Sequence, residues 1–277
     1  MIKGNIKLTV GDRVLLFDNL ITNTGLSAFI DGGFDRYLLL GTGAFREEPT
    51  VTGLEKLSAV SEGRWSTVSR NVVDIKANTI TNVHKLFKVF PVEKENKLYS
   101  EIAIGNNNGS KIYTYALLRD STGAPTTITV LKNEQISIEY TVTVVLPYKN
   151  FDEESGLTTY IHNIPDIWNM RNASYTSSKS GTYFQMFTDS LERLDAGMPP
   201  AIFSGSMSAG YYTKRNNKYA TNVATAVGSA STAYQGVYCG NYSSYYQYDF
   251  SFSVVFDTPK QIDKDAAYSL FFTIPYN

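Results

Sequence analysis

The clearest pattern in the chain is a strict alternation of apolar and polar residues. From residue 136 to residue 146 every second position is Ile, Tyr, Val or Leu, and Ser, Glu, Thr and Val stand between them. The same period of two recurs in residues 248–256 and 268–274. Such alternation places one set of side chains in a core and the other towards solvent or a neighbouring surface. These three segments are predicted to be strands of antiparallel sheets.

Weaker strand signals fill the N-terminal half. Two hairpins are predicted from turn sequences: Gly11-Asp12 between residues 5–10 and 13–17, and the Asn-rich turn 106–109 between residues 98–104 and 111–118. The remaining predicted strands cover residues 37–40, 68–75 and 80–90.

Two helices are predicted. The first lies between Asp18 and Ile30, with Asp18 as its N-terminal cap and Gly32-Gly33 as its end. The second is short and covers residues 164–170, with Pro165 in its first turn.

The character of the sequence changes after residue 148. Residues 149–247 hold Ser, Asn, Gly and Tyr in irregular order, and two strong strand signals follow. We therefore expect a β-sandwich domain over residues 1–148. Residues 149–277 are expected to form either a second, Tyr-rich β domain or an insertion whose last strands rejoin the first sheet. The predicted fold class is mainly β, with antiparallel sandwiches, one short N-terminal helix and a loop-rich C-terminal half.

Composition narrows the function classes. The 277 residues include 25 basic and 26 acidic side chains, and the balance disfavours nucleic acid or an anionic membrane as a partner. Cys239 is the only cysteine, which excludes an intramolecular disulfide and thiolate zinc clusters. Neither a signal peptide nor a membrane-spanning run is evident, so we expect synthesis in a cytoplasm without membrane insertion.

Several short motifs follow one another in the N-terminal half. They are Asn19-Leu20-Ile21-Thr22-Asn23-Thr24-Gly25-Leu26, Tyr37-Leu38-Leu39-Leu40-Gly41-Thr42-Gly43, Pro49-Thr50 with Leu54, Ser100-Glu101-Ile102-Ala103-Ile104-Gly105, Tyr115-Ala116-Leu117-Leu118-Arg119-Asp120 and the strand from 136 to 148. Their order resembles that of tail-fibre and related tail structural proteins of tailed bacteriophages. The resemblance covers roughly residues 5–148.

This resemblance implies a virion structural protein of the tail: a fibre, a short appendage or a connecting module. It implies that residues 1–148 serve in virion attachment and assembly, and that the protein lies in the virion after synthesis in the bacterial host. The implied partners are other tail proteins and identical subunits, as a trimer or higher oligomer, with a host surface glycan as a further ligand. From the residues themselves, Gly41-Thr42-Gly43 is expected to be a turn that uses conformations closed to bulky residues.

Reactive side chains are sparse. Gly41-Thr42-Gly43-Ala44-Phe45-Arg46 lacks the third glycine of a dinucleotide fingerprint and the Lys-Ser/Thr of a phosphate loop. His84 and His162 are the only histidines available to a catalytic triad, and His84 is interpreted as a strand residue with a hydrogen-bonded ring. We predict no enzyme activity, cofactor, metal or catalytic residue. The third-ranked alternative is a glycan hydrolase that uses Asp152-Glu153-Glu154 or Glu47-Glu48.

Twenty tyrosines are the distinctive feature of the composition, and many lie between residues 211 and 248. Tyrosine rings pack between subunits or stack on sugar rings, so two hypotheses remain open for this segment. The first is a subunit or receptor interface in a virion, and the second is a free carbohydrate-binding module of lectin type. The candidate interface residues are Tyr211, Tyr212, Tyr238, Tyr242, Tyr245 and Tyr246.

Overall fold

The computed structural model describes most of the N-terminal half and separate segments of the C-terminal half. The described residues are 1–31, 34–44, 47–153, 155–164, 166–168, 183–188, 191–200, 208–215, 218–223, 233–240, 251–261 and 268–273. All statements on structure below concern these residues.

Eleven of the described strands lie before residue 148. They are β1 (Ile2–Val10), β2 (Arg13–Ile21), β3 (Tyr37–Gly41), β4 (Leu57–Glu62), β5 (Arg64–Asp74), β6 (Thr79–Val89), β7 (Lys97–Tyr99), β8 (Glu101–Gly105), β9 (Ile112–Leu117), β10 (Ile128–Val130) and β11 (Ile136–Pro147). Helix α1 (Asn23–Asp31) follows β2.

Eight further described strands follow residue 148. They are β12 (Lys149–Asp152), β13 (Leu157–Asn163), β14 (Tyr183–Phe187), β15 (Ser208–Arg215), β16 (Lys218–Val223), β17 (Ala233–Gly240), β18 (Ser251–Gln261) and β19 (Tyr268–Thr273). Helix α2 (Leu191–Asp195) lies between β14 and β15.

The strands form two large antiparallel sheets and one small one. The first sheet has nine strands in the order β4-β3-β8-β9-β2-β1-β11-β6-β5, and β7 pairs with β10 beside it. The second has eight strands in the order β12-β13-β18-β17-β14-β15-β16-β19. The last strands of the chain, β18 and β19, thus pair within the second sheet.

The nine-stranded sheet curls into a half-barrel, and Gly63 shows why. β4 and β5 are the outermost strands of the sheet, yet this single residue connects them, so the two edges converge there. The buried Gly63 donates its N–H to the Arg36 carbonyl oxygen at 2.7 Å. A Cβ at this position would lie 2.7 Å from Leu86 Cδ1, so the corner has room only for glycine.

The core runs continuously between the two large sheets. In β11 every second residue from Ile136 to Leu146 is buried, and the residues between them are half-buried. In β18 all six residues from Ser251 to Phe256 are buried, so both faces of that strand are covered. One cluster of buried side chains extends from Ile6 of the first sheet to Phe252 of the second. The boundary at residue 148 stays a prediction.

The mainly β, antiparallel fold class predicted from the alternation is confirmed. The Gly11 turn is confirmed as well, since its φ of 56° lies in the left-handed region that glycine adopts readily. The strands β4 and β10 were missed, and so were β12 to β17 in the half that was expected to be loop-rich. Residues 248–250, 274 and Gly32-Gly33 of the predicted elements lie outside the described residues.

Both helix predictions need correction. Asp18 lies in β2 and does not cap α1. The cap is Thr22, whose Oγ1 accepts the Gly25 N–H at 2.9 Å. The predicted second helix is wrong for Ile164 and for residues 166–168, which lack helical structure. Burial of Asp166 against the first sheet takes precedence over helix formation there.

Candidate functional site

Two buried carboxylates organise the polar interior of the molecule. Asp166 lies where the chain leaving β13 crosses β5 and β6, and Glu101 begins β8. Asp166 is 1% exposed and Glu101 is 0% exposed. An ionised carboxylate this deeply buried requires compensating donors, so the surroundings of each one define a candidate site.

The first site, here called the junction cluster, consists of Thr67, Arg70, His84, Asp166 and Trp168. Arg70 holds the Asp166 carboxylate with two nitrogens, Nε to Oδ1 at 3.2 Å and Nη2 to Oδ2 at 2.5 Å. The Thr67 hydroxyl donates to Oδ1 at 2.9 Å. Such a two-nitrogen contact fixes both the position and the orientation of the carboxylate. The junction cluster therefore attaches the segment after β13 to the edge strand β5.

Amide side chains extend this attachment. Asn82 Nδ2 donates to the Ile164 carbonyl oxygen at 2.7 Å, and the Ile164 N–H donates to Asn71 Oδ1 at 2.8 Å. Asn71 also hydrogen-bonds Asn163, and its own N–H donates to Asn82 Oδ1 at 2.6 Å. The φ of Asn71 is 50°, at an irregularity in the β5–β6 pairing. Asparagine tolerates this left-handed conformation better than most residues.

His84 is enclosed by the junction cluster. Its ring meets the Trp168 ring edge-on with centroids 5.2 Å apart, and Trp168 stacks on Trp65 at 5.6 Å. Nδ1 of His84 lies 3.7 Å from Asp166 Oδ1, which is too long for a hydrogen bond. Neither ring nitrogen has a hydrogen-bond partner among the described residues, so the predicted hydrogen-bonded ring is wrong.

The pKa of His84 is lowered to about 4, mainly because burial disfavours the charged imidazolium. The Asp166 carboxylate opposes this shift and the Arg70 guanidinium reinforces it. His84 is therefore neutral at pH 7. An acid lies near this histidine, but no serine, threonine or cysteine completes a triad with it among the contacts of the described residues.

His162 has the complementary half of a triad. Its Nε2 is 2.8 Å from the Ser253 hydroxyl, across the β13–β18 pairing. Its Nδ1 is buried without a hydrogen-bond partner in the described part of the chain, where a triad would place an acid. Burial lowers the pKa of His162 to about 4, and Ser253 is fully buried. The pair fits an interior hydrogen bond better than an accessible nucleophile.

The second site, here called the motif hub, surrounds Glu101. The N–H groups of Gly43 and Lys56 donate to its Oε1 at 2.9 and 3.1 Å. The Glu55 N–H and the Tyr115 hydroxyl donate to Oε2 at 3.3 and 3.1 Å. Burial and, after it, contact with Glu101 raise the pKa of the Tyr115 phenol. The carboxylate thus joins the segment after β3 to β8 and β9.

The motif hub explains why positions 41 and 43 are occupied by glycine, and the reason differs from the predicted one. Neither glycine adopts a left-handed φ. A Cβ on Gly41 would lie 2.4 Å from Glu101 Oε1, and a Cβ on Gly43 would lie 2.6 Å from the same atom. The expectation of a turn closed to bulky residues by its backbone conformation is therefore wrong. Glycine is needed because the carboxylate occupies the space of a side chain.

The other N-terminal motifs connect to the same region. The Thr22 hydroxyl donates to the Ile112 carbonyl oxygen at 2.7 Å, and the Thr22 N–H donates to the Tyr113 carbonyl oxygen at 3.0 Å. Asn23 N–H donates to the Pro49 carbonyl oxygen at 2.8 Å. Gly25 permits this approach, because a Cβ there would lie 2.0 Å from the Tyr113 carbonyl oxygen. These contacts fasten the start of α1 to β9.

The loop carboxylates named as hydrolase candidates do not form a pair around a cleft in the described residues. Glu47 accepts the Leu117 N–H at 2.9 Å and forms an ion pair with Arg119. Glu153 is exposed in the turn after β12, and Glu154 lies outside the described residues. Asp152 is half-buried at the end of β12.

The tyrosines whose side chains are described are interior residues. Seven are buried and two, Tyr37 and Tyr238, are half-buried. Several of their hydroxyls reach polar partners, for example Glu93 from Tyr99 at 2.8 Å and Asp195 from Tyr160 at 2.7 Å. The buried Tyr140 hydroxyl has no hydrogen-bond partner among the described residues. The buried members of this set are Tyr99, Tyr113, Tyr115, Tyr140, Tyr148, Tyr160 and Tyr234.

The six candidate interface tyrosines are only partly described. Tyr238 lies in β17 with its ring 5.9 Å from that of His162. Tyr211 and Tyr212 lie in β15, where their backbones pair with Asn222 and Thr221 of β16. Tyr242, Tyr245 and Tyr246 lie outside the described residues. Their role as an interface stays a prediction.

Sequence reasoning missed the junction cluster. Arg70 and Asp166 are 96 residues apart, and each stands in an unremarkable polar context. No spacing rule connects them, since their contact depends on how the two sheets meet. No cluster of three or more His, Cys, Asp or Glu side chains suited to a metal ion occurs in the described ranges. No described helix has the length and apolar character needed to cross a membrane.

Comparison with known proteins leaves the chain without an assigned family. No protein-family model matches it. Comparison with curated proteins gives no match, and comparison with solved structures gives none either.

Proposed function

We propose that the chain is a structural protein of a tailed-bacteriophage tail, as a fibre, short appendage or connecting module. In this proposal it acts in virion assembly, through contacts with other tail proteins and identical subunits. Its Tyr-rich C-terminal half contributes to oligomer contacts or to attachment at a host surface glycan. It acts by binding and assembly rather than by catalysis.

The observation that carries the proposal is the motif hub. The segments that resemble tail proteins lie far apart in the sequence, yet Gly43 and Glu101 meet in one buried network. The segments of Thr22 and Pro49 join the neighbouring strand β9 and helix α1. Each motif has an architectural role here, which supports a shared scaffold as the source of the resemblance.

The two histidine environments support a role without catalysis. His84 lies near an acid, and His162 lies near a serine, but neither arrangement contains both partners among the described residues. Burial keeps both imidazoles neutral down to about pH 4. A general base must reach its substrate, and the His84 side chain is fully buried.

Immunogold electron microscopy of phage particles tests the proposal. Antibodies raised against the chain should label the tail of particles produced by the bacterium that carries the gene. The same antibodies absorbed with purified chain provide the control. Complete, unlabelled particles together with a chain confined to the cell lysate would overturn the proposal.

A glycan array distinguishes the lectin alternative. Binding by the isolated chain that is lost in Tyr245→Ala and Tyr246→Ala, with unlabelled virions, would establish a free carbohydrate-binding module. Release of reducing ends from host polysaccharide, abolished by Glu153→Gln, would instead establish a hydrolase. The proposed tail protein releases none.

A further inference from the structure

The outer face of the first sheet has an unusual arrangement of exposed side chains. Across β2, β1, β11 and β6, cross-strand neighbours form three rows on this face. The first row is Val14, Thr9, Ser137 and Val89; the second is Leu16, Lys7, Glu139 and Phe87; the third is Asp18, Asn5, Thr141 and Lys85. These twelve residues are here called the paired face.

Apolar side chains at the two margins of the paired face are open to solvent. Leu16 is 63% exposed and Val14 48% exposed on β2, while Phe87 is 47% and Val89 41% exposed on β6. The residues next to them along each strand point to the core, as Phe17 and Leu86 show. A single exposed apolar residue needs no explanation, but two matched pairs flanking a polar centre define a candidate contact surface.

Each row is complementary to the same row of a second copy when that second row runs in the opposite direction. The second row reads apolar, positive, negative, apolar, so reversing it sets Lys7 against Glu139 and Leu16 against Phe87. The third row reads negative, polar, polar, positive, so reversal sets Asp18 against Lys85. The first row sets Val14 against Val89 and Thr9 against Ser137. All six opposed pairs therefore match in polarity or in opposite charge.

A two-fold axis parallel to the strands produces this reversal. If two copies stack face to face about an axis between β1 and β11, β2 of one copy covers β6 of the other, and β1 covers β11. A two-fold axis perpendicular to the strands would instead place Lys7 on Lys7 and Glu139 on Glu139. Charge thus selects one of the two arrangements.

We propose that the paired face binds a second copy of this chain in a two-fold, face-to-face sheet packing. Lys7 and Glu139 form the central intermolecular ion pairs, and Leu16 packs against Phe87 at both margins. The existing pair between Lys85 Nζ and Glu139 Oε1, 2.9 Å apart, then becomes part of a larger charge network that includes Lys7 of the other copy.

The size of the paired face sets the expected strength of the contact. Three interstrand spacings of about 4.8 Å and four residue steps of about 3.4 Å give a patch of roughly 14 by 14 Å between outer backbone positions. This is smaller than a standard interface of about 800 Å² per partner. We therefore expect a reversible dimer with a dissociation constant in the micromolar range. The proposal follows from the face alone and does not depend on a role in a phage tail.

Sedimentation velocity of the intact chain, from micromolar to about 0.5 mM, tests the pairing. Wild type is expected to pass from monomer to dimer over this range. Lys7→Glu and Glu139→Lys should each weaken self-association at least tenfold, because each homodimer then contains two like-charged contacts. Lys76→Glu, in the exposed turn between β5 and β6, is the matched charge reversal and should leave association unchanged.

Mixing the two variants is the decisive experiment. In a Lys7→Glu and Glu139→Lys heterodimer both central pairs again have opposite charge, so the mixture should dimerise with an affinity within about threefold of wild type. Recovery on mixing also shows that both variants are folded. A wild type that stays monomeric, or a mixture that stays monomeric while wild type dimerises, overturns the pairing. Either result leaves the immunogold test of the tail proposal unaffected.

Discussion

The two buried carboxylates stabilise different kinds of contact. Glu101 accepts hydrogen bonds from neutral groups, three backbone N–H groups and a phenol, all within the first sheet and its loops. Asp166 is held by a cation, Arg70, and joins the segment after β13 to that sheet. The motif hub therefore shapes one sheet from within, while the junction cluster holds the chain of the second sheet against the first.

Because of this difference, the two sites contribute to stability in different ways. At the motif hub the charge is distributed over four donors, three backbone N–H groups between β3 and β4 and the hydroxyl of Tyr115 in β9. At the junction cluster the charge is balanced by one flexible side chain that is 30% exposed. Removing Asp166 leaves a partly buried cation behind, whereas removing Glu101 leaves unpaired backbone groups.

The largest effect is expected for Asp166→Ala. The substitution should lower the free energy of unfolding by about 4 kcal/mol, because the Arg70 guanidinium and the Thr67 hydroxyl lose their acceptor. Urea denaturation measures the change. Asp12→Ala, in the exposed β1–β2 turn, is the control and should change stability by less than about 1 kcal/mol.

A double substitution sharpens the interpretation at the junction cluster. Arg70→Met with Asp166→Leu removes both charges, so it should recover more than half of the loss caused by Asp166→Ala. If Asp166→Ala and Asp12→Ala unfold at the same urea concentration, the junction cluster does not contribute to the global stability of the chain.

Glu101→Gln is expected to cost about 3 kcal/mol. Each oxygen of Glu101 accepts two hydrogen bonds. Either orientation of the amide therefore sets its NH2 group against at least one backbone N–H donor, since only the Tyr115 hydroxyl can turn to accept. The exposed Glu95→Gln is the matched control. Faster hydrogen exchange at the Gly43 N–H would place the effect at the motif hub, and wild-type exchange there would contradict this account.

Local patterning explains how much of the fold could be predicted. The alternation in β11 and the turn at Gly11 depend on nearest neighbours, and both predictions are confirmed. Thr22 replaced Asp18 as the cap because β2 continues four residues further than its apolar pattern indicates. The curl at Gly63 and the steric reason for Gly43 require contacts with Leu86 and Glu101, which no local pattern contains.

The candidate sites could be predicted from local sequence patterns even less well than the fold. Tyrosine enrichment indicated either interface surfaces or the high β-propensity of the residue, and the nine tyrosines with described side chains are buried or half-buried. Composition counts residues without placing them, so it does not separate a core phenol such as Tyr115 from an exposed ring. The role of Asp166 could not be predicted from the sequence either, because its contacts form only when the two sheets pack together.

The smallest expected effect, taken per pH unit, is the pH dependence of stability that the two histidines cause. His84 and His162 have pKa values lowered from 6.5 to about 4. Between these values the unfolded chain binds more protons than the folded chain, so stability falls as the pH falls from 6.5 towards 4 and is unaffected above that window. The slope is at most about 1.4 kcal/mol per pH unit for each histidine.

His84→Phe separates the two histidines and completes the comparison of the two carboxylates. Phenylalanine fills a similar volume beside Trp168 and removes two ring nitrogens that have no hydrogen-bond partner among the described residues, so stability at pH 7 should change little. The pH slope between 6 and 5 should fall by about half, since only His162 then titrates. In wild type, exchange at the Ile164 N–H should rise over this interval while exchange at the Gly43 N–H does not, because no histidine contacts the motif hub among the described residues. An equal rise at both amides would show that protonation loosens the whole sheet rather than the junction, and that the two carboxylates do not act independently.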